Sequence, residues 1–420
     1  MSSIEAQGQS AAAPSPRPQV AARFDVAVVG GGPSGLASAI LAARAGFSTA
    51  LVAPLGQWDD ARTTALLAGS MTMLERMGLA EAVAAKGQML RVMRLVDDTG
   101  RLIRAPEVAF ESSEIGLPTF GYNIANIDLN TILLDAARAT AGLTLIDAKL
   151  DQASTGEAAT TLTLDDGRVL TARLIVGADG RKSKCRDAAG IDVRQWTYPQ
   201  AAMVMNLACA APHDDISTEF HGRNGPFVLV PLPGNRISIV LVEAPATIER
   251  LNGLDDAALA RELETRAHSL LGRFTIEGRR QVYPLSAMTA RTFGRNRVAL
   301  VGEAAHVFPP IGAQGLNLGL RDGATLGDLL DKAGKAGEDP GGGAMLAAYD
   351  RARAIDINSR TATVDTVNRA LLSEHLPAQV ARGFGLWAAK SIPPLRRLMM
   401  REGMVPTFAT PRLMRGTVPR

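Results

Sequence analysis

Residues 24–52 read FDVAVVGGGPSGLASAILAARAGFSTALV, which predicts a strand, a glycine-rich turn, a helix and a second strand. The first strand, at 25–29, is rich in Val and Ala and suits a buried parallel sheet. The helix at 33–45 begins with a proline, where no backbone donor is missed, and it is rich in Ala, so that it can lie close to a sheet. The second strand follows at 48–52. This order predicts an α/β unit whose helix N-terminus points toward a bound group.

The turn has the spacing Gly30-x-Gly32-x-x-Gly35. In this spacing the first glycine makes a tight turn, the second lets a pyrophosphate approach the backbone, and the third lets helix and strand touch. We predict that Gly30, Gly32, Ser34 and Gly35 bind a dinucleotide; the alternative is a glycine-rich turn of an ordinary α/β sheet. The acid expected near position 53 to bind a ribose is replaced by Ala53. Backbone or water would then hold the ribose, or the site binds less tightly than usual.

The length of 420 residues predicts one large domain or two interleaved domains. A hydrophobic content of 46% is enough for a sizeable core, and 21% charged residues are ordinary for a soluble protein. The formal net charge of +3 is too small to indicate nucleic-acid binding. No long apolar stretch is free of charges, so we expect no membrane-spanning helix.

The two cysteines, Cys185 and Cys209, match no metal-binding or redox spacing, and we expect reduced thiols in a cytoplasmic protein without a metal site. Residues 1–22 are rich in Ala, Ser, Pro and Gln and lack the apolar core of a secretion signal. We therefore predict that they form an unstructured tail.

Two further motifs lie far from the glycine turn in sequence. The first is Asp179-Gly180-x-x-Ser183-x-x-Arg186, after a predicted strand; the second is GEAAH at 302–306, followed by PIGAQGLN at 310–317. With the glycine turn, their order and spacing over about residues 23–350 resemble the flavin-dependent aromatic hydroxylases, the single-component monooxygenases related to p-hydroxybenzoate hydroxylase. The chain is most similar, within that group, to the ubiquinone-biosynthesis hydroxylases. The stretches that carry this closer resemblance are RTTAL at 62–66, GPFVLVPLP at 225–233, NLGLRD at 317–322 and PRLMRG at 411–416.

The resemblance implies an α/β (α+β) fold, in which a Rossmann-like FAD-binding domain is interleaved with an antiparallel-sheet substrate domain and followed by a C-terminal helical segment. The FAD-binding domain would span 23–345, in segments at about 23–80, 110–185 and 280–345. The substrate domain would take up about 81–109 and 186–279, and a helical, basic segment would follow at 346–420. Glycines at 334–343 predict a flexible break before that segment.

The resemblance also implies that FAD is the cofactor. Glu303 stands where relatives carry a shorter Asp that reaches the flavin ribityl chain. Arg62 and Asn126 match positions near the pyrophosphate and the ribityl chain. A helix that begins near Gln314 would direct free N–H groups at the flavin pyrimidine edge, where the reduced ring is negatively charged. The predicted FAD-binding residues are Gly30, Gly32, Ser34, Gly35, Arg62, Thr63, Asn126, Asp179, Gly302, Glu303, Pro310, Gly312, Ala313, Gln314, Gly315, Leu316 and Asn317. The sequence does not identify a catalytic side chain.

Several of these residues have a simpler alternative. Arg62 is also compatible with a surface charge, and Asp179 with a residue that caps the following turn. His306 is more consistent with a packed, hydrogen-bonded residue than with a base. We also expect structural roles for His221 and Tyr122.

The reaction implied by the resemblance is hydroxylation of the ring of a polyprenylated ubiquinone precursor by O2, through a flavin C4a-hydroperoxide. The antiparallel sheet at 200–245 would cover the flavin, with Phe220, Phe227, Val228, Leu229 and Leu232 forming an apolar wall or simply a core. The sequence has no second glycine fingerprint that would bind NAD(P)H. The electron donor is therefore either NAD(P)H bound without a nucleotide domain of its own, or a partner reductase or ferredoxin. The alternatives are a soluble hydroxylase of a small aromatic acid and an FAD-binding structural member of a ubiquinone-biosynthesis complex.

The segment 376–420 combines basic and apolar side chains. Its basic residues, opposed by the single acid Glu402, are Arg382, Lys390, Arg396, Arg397, Arg401, Arg412, Arg415 and Arg420, and its large apolar residues include Leu386, Trp387, Ile392, Leu395, Leu398, Met399 and Met400. This pattern predicts contact with anionic lipid on the inner face of the cytoplasmic membrane. The alternative is a helix packed on its own protein with a solvated basic face.

Overall fold

The computed structural model describes residues 20–56, 58, 60–100, 105–310, 312–372, 385, 387–388, 390–404 and 410–416. Three sheets and the helices between them make up this part of the chain. The helices are α1 (Pro33–Arg44), α2 (Ala68–Met77), α3 (Ala80–Lys86), α4 (Asn126–Arg138), α5 (Lys184–Ala188), α6 (Pro245–Asn252), α7 (Asp256–Arg266), α8 (Gln314–Ala336), α9 (Gly343–Leu372) and α10 (Pro393–Met404).

The first sheet, which we call the cofactor sheet, contains the predicted α/β unit. Its strands are β1 (Val20–Val29), β2 (Thr49–Ala53), β8 (Leu143–Asp147), β9 (Leu150–Thr155), β10 (Thr160–Leu164), β11 (Val169–Gly177), β17 (Gly294–Arg295) and β18 (Val298–Leu300). Strands β18, β11, β1, β2 and β8 lie side by side and run parallel. The centre of β1 is fully buried, as expected of a parallel strand covered on both faces.

Strand β1 is longer than predicted. It begins at Val20, which pairs with Val169, so its first residues lie within the stretch predicted to be an unstructured tail. Residues 1–19 of that tail lie outside the described residues. The extra pairing lengthens β1 at its N-terminal end, away from the glycine turn.

The second sheet, which we call the large antiparallel sheet, is formed mainly by residues 193–290. Its strands are β5 (Val92–Asp97), β6 (Val108–Glu111), β12 (Val193–Cys209), β13 (Ile216–His221), β14 (Pro226–Leu232), β15 (Arg236–Glu243), β16 (Phe274–Ala290) and β19 (His306–Val307). One face packs against α6 and α7 through a core that includes Met203, Leu229 and Ile239. A small third sheet of β3 (Thr63–Leu67), β4 (Gln88–Met89) and β7 (Gly121–Ala125) lies between the two larger sheets.

Helices α1 and α8 cross closely because α8 carries glycines at the points of contact. A Cβ added at Gly319 would lie 2.4 Å from Oγ of Ser34, and one at Gly323 would lie 2.8 Å from Oγ of Ser38. Gly327 faces Leu41 in the same way, one turn further along. The two helices therefore run side by side in the same direction, at a distance that larger side chains would prevent.

The chain between α8 and α9 differs from the prediction of a flexible break at 334–343. Helix α8 continues to Ala336, and α9 begins at Gly343. Gly337 ends α8 with φ of +67°, a conformation that glycine adopts without strain. The glycines at this point therefore form a tight connection between two long helices, and the prediction was wrong here.

The last described segment, at 410–416, packs against α2 and α8. Met414 is 1% exposed, and the guanidinium of Arg76 donates hydrogen bonds to the carbonyls of Arg412 and Arg415. Arg412 also pairs with Asp331 at 2.8 Å. In α10, Arg396 donates to the carboxylate of Glu114 and lies over the ring of Phe110. Several of the basic residues predicted to contact lipid therefore face their own protein instead.

Candidate cofactor site

The predicted site segments meet at one edge of the cofactor sheet. The amide of Gly30 donates to the Val52 carbonyl at 3.0 Å, and the amide of Ala178 donates to the Val29 carbonyl at 2.8 Å. The amide of Val301 donates to the carbonyl of Gly177 at 2.9 Å. Because β1, β11 and β18 are parallel, their carboxyl ends bring the glycine turn, the Asp179 loop and the Glu303 loop together. Ligands of open α/β sheets bind at such an edge.

The glycine turn has the geometry of a cradle for phosphate. Gly30 has φ of +122°, and a Cβ there would lie 2.1 Å from the carbonyl oxygen of Ala178. A Cβ at Gly35 would lie 2.0 Å from the carbonyl oxygen of Gly30. A Cβ at Gly32, in contrast, would meet no atom within 4 Å. Gly30 and Gly35 thus allow the chain to pack on itself, whereas Gly32 faces open space where a ligand can approach the backbone.

The N-terminus of α8 is open as well. Its N-cap residue, Ala313, has a left-handed conformation with φ of +52°, and no side chain caps the helix. Gly312, Ala313 and Gly315 are exposed, and Gln314 and Leu316 are half-buried. The first amides of the helix are therefore available to an anion. Pro310 is exposed beside this turn, and Ile311 lies outside the described residues.

The side chain of Asn317 joins α8 to strand β3. Its Nδ2 donates to the carbonyls of Ala65 at 2.8 Å and Ala313 at 2.7 Å. Its Oδ1 accepts from the Leu67 amide at 2.9 Å and the Ser70 hydroxyl at 2.7 Å. This buried side chain uses all its hydrogen-bonding groups within the protein, so the backbone is what Asn317 can offer to a cofactor.

Arg62 and Asn126 lie together, and Asp60 joins them. The Asp60 carboxylate accepts from Nε and Nη2 of Arg62, both at 2.7 Å, and from Nδ2 of Asn126 at 2.8 Å. Burial raises the pKa of Asp60, but these hydrogen bonds outweigh it and leave the pKa below its usual value. The Arg62 guanidinium also lies 5.9 Å from the ring centre of Tyr283 in the large antiparallel sheet. Thr63 follows in β3, paired with Ala125.

Asp60 was missed as a site residue by sequence reasoning. The only signal was its place two residues before Arg62, a spacing that a bidentate ion pair can bridge. The structure makes Arg62 part of a site-edge cluster rather than an isolated surface charge.

Asp179 caps the turn that follows it. Its Oδ1 accepts from the Ser183 hydroxyl at 2.5 Å, and its Oδ2 accepts from the Cys185 amide at 3.1 Å. Ser183 in turn accepts from the Arg186 amide at 2.9 Å and begins α5. Both carboxylate oxygens thus have partners inside the loop, which favours the alternative interpretation of Asp179 as a structural residue.

Glu303 reaches outward from the 3-10 turn after β18. Its carboxylate pairs with Nε of Arg181 at 3.1 Å, and both side chains are 50% exposed. Gly302, just before it, has φ of +62° and lies against Ser34 of α1. The carboxylate of Glu303 is therefore accompanied by a cation from the Asp179 loop.

His306 is buried, as the packed interpretation predicted. It is 2% exposed, and its Nε2 lies 2.6 Å from Oδ2 of Asp322. A ring enclosed in this way cannot take a proton from a substrate directly, which argues against a role as a base.

The face of the large antiparallel sheet opposite α6 and α7 is turned toward this edge. Nδ2 of Asn206 reaches the carbonyl of Ala61 at 3.4 Å, and Val230 packs with residues of β3 and α2. Strand pairing puts Asn206, Ser238 and Val230 side by side on that face. Two residues away along each strand, Val204, Val240 and Val228 form the next row on the same face. We call this face the apolar wall.

The wall differs in part from its prediction. Val228 belongs to it, but Phe220, Phe227 and Leu229 point the other way, into the core with α6 and α7. The strand period of two explains the difference, since alternate residues of β14 face opposite sides. The alternative that these residues are plain core is therefore correct for the three of them; Leu232 is buried at 3%.

Comparison with known proteins agrees with this geometry. The family model described as FAD binding domain matches residues 23–359. Ubiquinone hydroxylase UbiL of Rhodospirillum rubrum is 34% identical over 402 residues, which are 93% of this chain and 92% of that protein. The 3-demethoxyubiquinol 3-hydroxylase of Escherichia coli is 31% identical over 90% of this chain and 98% of that protein.

Solved structures share the fold. The p-nitrophenol 4-monooxygenase PnpA of Pseudomonas putida superimposes with a TM-score of 0.76 at 20% identity, over 91% of this chain and 97% of that one. A variant of HpxO from Klebsiella pneumoniae in complex with FAD gives 0.73 at 16% identity, over 91% and 98% of the two chains. The open glycine turn and the uncapped α8 fit a dinucleotide at this edge. The chain is an FAD-dependent monooxygenase and belongs to the family of aromatic hydroxylases that includes the ubiquinone-biosynthesis hydroxylases.

Proposed function

We propose that this enzyme hydroxylates the aromatic ring of a polyprenylated ubiquinone precursor with O2, using FAD at the carboxyl edge of the cofactor sheet. FAD supplies the oxygen chemistry when it is bound. The protein's part is to hold the cofactor, orient the ring and exclude water. The names of two relatives support this substrate class, since a ubiquinone hydroxylase and a 3-demethoxyubiquinol 3-hydroxylase match 93% and 90% of the chain.

One observation in the structure carries the proposal: the apolar wall packs through Val230 against β3, the strand that Asn317 joins to the uncapped start of α8. The wall presents Val204, Val228, Val230 and Val240, with Asn206 and Ser238 as its polar members. An electron-rich ring with a lipid tail suits such a surface. A small aromatic acid would instead need a free cation for its carboxylate, whereas Arg236, two residues beyond Ser238 on this face, pairs with Glu277 at 2.6 Å, and Arg62 nearby pairs with Asp60 at 2.7 Å.

The deciding experiment compares two substrates with the purified, FAD-loaded protein. A prenylated phenol in detergent micelles should take up one atom of isotopically labelled O2, detected by mass spectrometry, whereas a hydroxybenzoic acid should not. Turnover of the acid alone would move the function to a soluble hydroxylase. Absence of substrate-stimulated O2 uptake with either compound would favour a structural role in a biosynthetic complex.

The FAD-binding residues remain part of the proposal. We infer that the backbone at Gly32 binds the pyrophosphate of the cofactor and the start of α8 its flavin ring, and that Arg62, Asn126 and Glu303 contact the pyrophosphate and the ribityl chain. Electrons come from NAD(P)H directly or from a partner reductase or ferredoxin. Anaerobic mixing with NADH or NADPH distinguishes these donors, because direct reduction bleaches the flavin absorbance without a second protein.

We also propose that α10 rests on anionic lipid. Its inward face carries Met400, Met404 and Arg396, whereas Leu395, Leu398 and Met399 are 37–56% exposed on the outward face. Exposed Lys390 and Arg397 add positive charge nearby, and Trp387 and Ile392 add apolar area. Arg382, Leu386 and Arg420, which belong to the same prediction, lie outside the described residues. No helix in the described part of the chain is long and apolar enough to span a membrane.

Liposome co-sedimentation tests this surface. Anionic vesicles should bind the protein in low salt, and high salt should weaken the binding. The double change Leu398→Glu and Met399→Glu should reduce it, whereas Ile127→Glu, on a similarly exposed residue of α4, should not. Equal recovery in the supernatant with and without vesicles would contradict the proposal.

A further inference from the structure

Helix α9 carries charged residues that are linked by hydrogen bonds to both ends of the segment between β18 and α8. One end of this segment is Gly302 and the other is Gln314. Arg353, Asp356 and Arg360 lie at spacings of three and four and share one face of the helix. That face packs against α8, where Arg321 and Asp322 meet it. We call these five residues the charge cluster. None of them was among the residues predicted from the sequence to bind FAD.

One end of the charge cluster reaches the segment after β18. Asp322, fully buried, accepts from the Gly302 amide at 2.9 Å and lies 2.6 Å from Nε2 of His306. Its other oxygen accepts from Nε of Arg353 at 2.7 Å. The backbone that leads into Glu303 is therefore held by a carboxylate whose own orientation depends on α9.

The other end of the charge cluster reaches the first residue of α8. Asp356 accepts from Arg353 at 2.8 Å, from Arg321 at 3.1 Å and from Nε of Arg360 at 2.9 Å. Nη1 of Arg360 then donates to Oε1 of Gln314 at 2.6 Å. Gln314 also donates to the Gly312 carbonyl at 3.2 Å. Arg360 thus holds the side chain that bridges the open turn at the helix N-terminus.

The charge cluster has more positive than negative charge. It contains three guanidinium groups and two carboxylates, so one positive charge is not neutralised within it. Burial raises the pKa of Asp356, but the three guanidiniums outweigh this and lower that pKa to about 2. Burial likewise lowers the pKa of Arg321 to about 10, still well above neutrality. The excess charge therefore persists at physiological pH, and within the charge cluster Arg360 is the guanidinium that contacts the first residue of α8.

We propose that Arg360 is a positioning residue for the flavin ring, which holds Gln314 at the α8 N-terminus and adds a positive charge that favours the reduced, anionic cofactor. The inference rests on FAD at this edge, as the proposed function does, but it does not depend on the substrate. The charge of Arg360 and the amides of α8 act in the same direction, since both stabilise an anion at the helix N-terminus.

The reduction potential separates this role from a purely structural one. A residue that only shapes the site changes the affinity for oxidised and reduced FAD equally, and the potential of the bound cofactor stays constant. A residue whose charge favours the reduced anion changes the two affinities unequally. A tenfold loss for reduced relative to oxidised FAD corresponds to a fall of about 30 mV for a two-electron couple.

The experiment measures the potential of bound FAD, without substrate, in three variants of the full chain. Arg360→Gln removes the charge and keeps an amide donor near Gln314, and it should lower the potential by about 30 mV, equal to a tenfold change in relative affinity. Arg360→Lys keeps the charge and should retain most of the wild-type potential. Arg351→Gln, on an exposed residue of the same helix, should leave it unchanged.

An unchanged potential in Arg360→Gln would overturn the proposal, even if FAD affinity fell. If that variant does not fold, Gln314→Glu provides a second test. A carboxylate next to Arg360 would offset its positive charge and repel the reduced, anionic flavin, and it should therefore lower the potential. An unchanged potential there would also overturn it. Failure of the hydroxylation assay with a lowered potential in Arg360→Gln would reject the proposed substrate and leave this inference standing.

Discussion

Two groups of charges lie on opposite sides of the segment that leads from β18 to α8. The charge cluster is behind it, with Arg353 and Asp322 fully buried and Asp356 4% exposed. The Arg181–Glu303 pair is in front of it, and both of its side chains are 50% exposed. The first group joins three elements of the fold, whereas the second joins two neighbouring loops at the cofactor edge.

The difference in burial between the two groups indicates which charges stabilise the fold and which are available to bind a ligand. A buried ion pair has already lost its hydration, so removal of one partner leaves an unpaired charge and is costly. An exposed pair keeps its water and contributes little to stability, but its atoms remain available to a ligand. Substitutions in the two groups should therefore affect different measurements.

The largest effect should come from Arg353→Met. The change leaves Asp322 and Asp356 without a shared cation in the core, and we expect the free energy of unfolding to fall by about 3–5 kcal/mol. Urea denaturation of the apoprotein measures it. Arg351→Met, at an exposed position of the same helix, should change it by no more than about 0.5 kcal/mol. A loss below about 1 kcal/mol for Arg353→Met would contradict the comparison.

The next effect depends on pH. The folded-state pKa of Asp356 lies below the unfolded-state value, so its ionised form stabilises the protein above about pH 4, and that stability is lost as the pH falls toward about 2. The shift corresponds to roughly 2 kcal/mol. The difference in unfolding free energy between wild type and Asp356→Asn should be constant from pH 7 to 5 and should narrow below pH 4. A constant difference down to pH 3 would show that Asp356 is not held in this way.

Glu303→Ala tests the prediction for the exposed pair, namely that it affects FAD binding more than stability. We expect the dissociation constant for FAD to rise about tenfold, because one charged hydrogen-bonding group is lost at the cofactor edge, while the unfolding free energy changes by less than about 1 kcal/mol. Quenching of flavin fluorescence on titration measures the affinity. Glu303→Asp keeps the carboxylate and serves as the control. Unaltered FAD binding in Glu303→Ala would remove this residue from the proposed site.

The smallest effect should come from Arg181→Ala. Loss of this exposed partner should change the unfolding free energy by less than about 1 kcal/mol. High salt should remove the difference from wild type, because it screens exposed pairs, whereas it should leave the effect of Arg353→Met largely in place. Denaturation curves at low and high ionic strength provide both numbers. A salt-independent loss would mean that Arg181 is more deeply engaged than its exposure indicates.

Local patterns predicted the secondary structure at the front of the candidate site. The glycine turn, the strand before it and the start of α8 depend on short stretches whose backbone requirements are visible in the residues themselves. The packed, hydrogen-bonded state of His306 was also predicted and is confirmed. These features were accessible because each is decided within a few residues of chain.

The rest required the fold. Asp322 and Arg353 are 31 residues apart and meet only because α8 and α9 are joined by a tight turn, where the glycines at 334–343 predicted flexibility. The residues of the apolar wall could not be assigned without the strand register, because a shift of one residue moves Phe227 from the wall to the core. The partners of Asp179 likewise depend on how its loop folds back on itself.

The crossing of α1 and α8 bears on where a bound cofactor lies. Ser34 lies beside Gly319, so α8 extends about four residues, or roughly 6 Å, beyond the start of α1. The two open helix ends are thus a fixed distance apart, set by the glycines between them. A cofactor that contacts both ends must match this distance with its phosphate and its flavin ring. The packing of α1 on α8 therefore fixes where the ring lies relative to the phosphate, and no side chain at the site needs to do so.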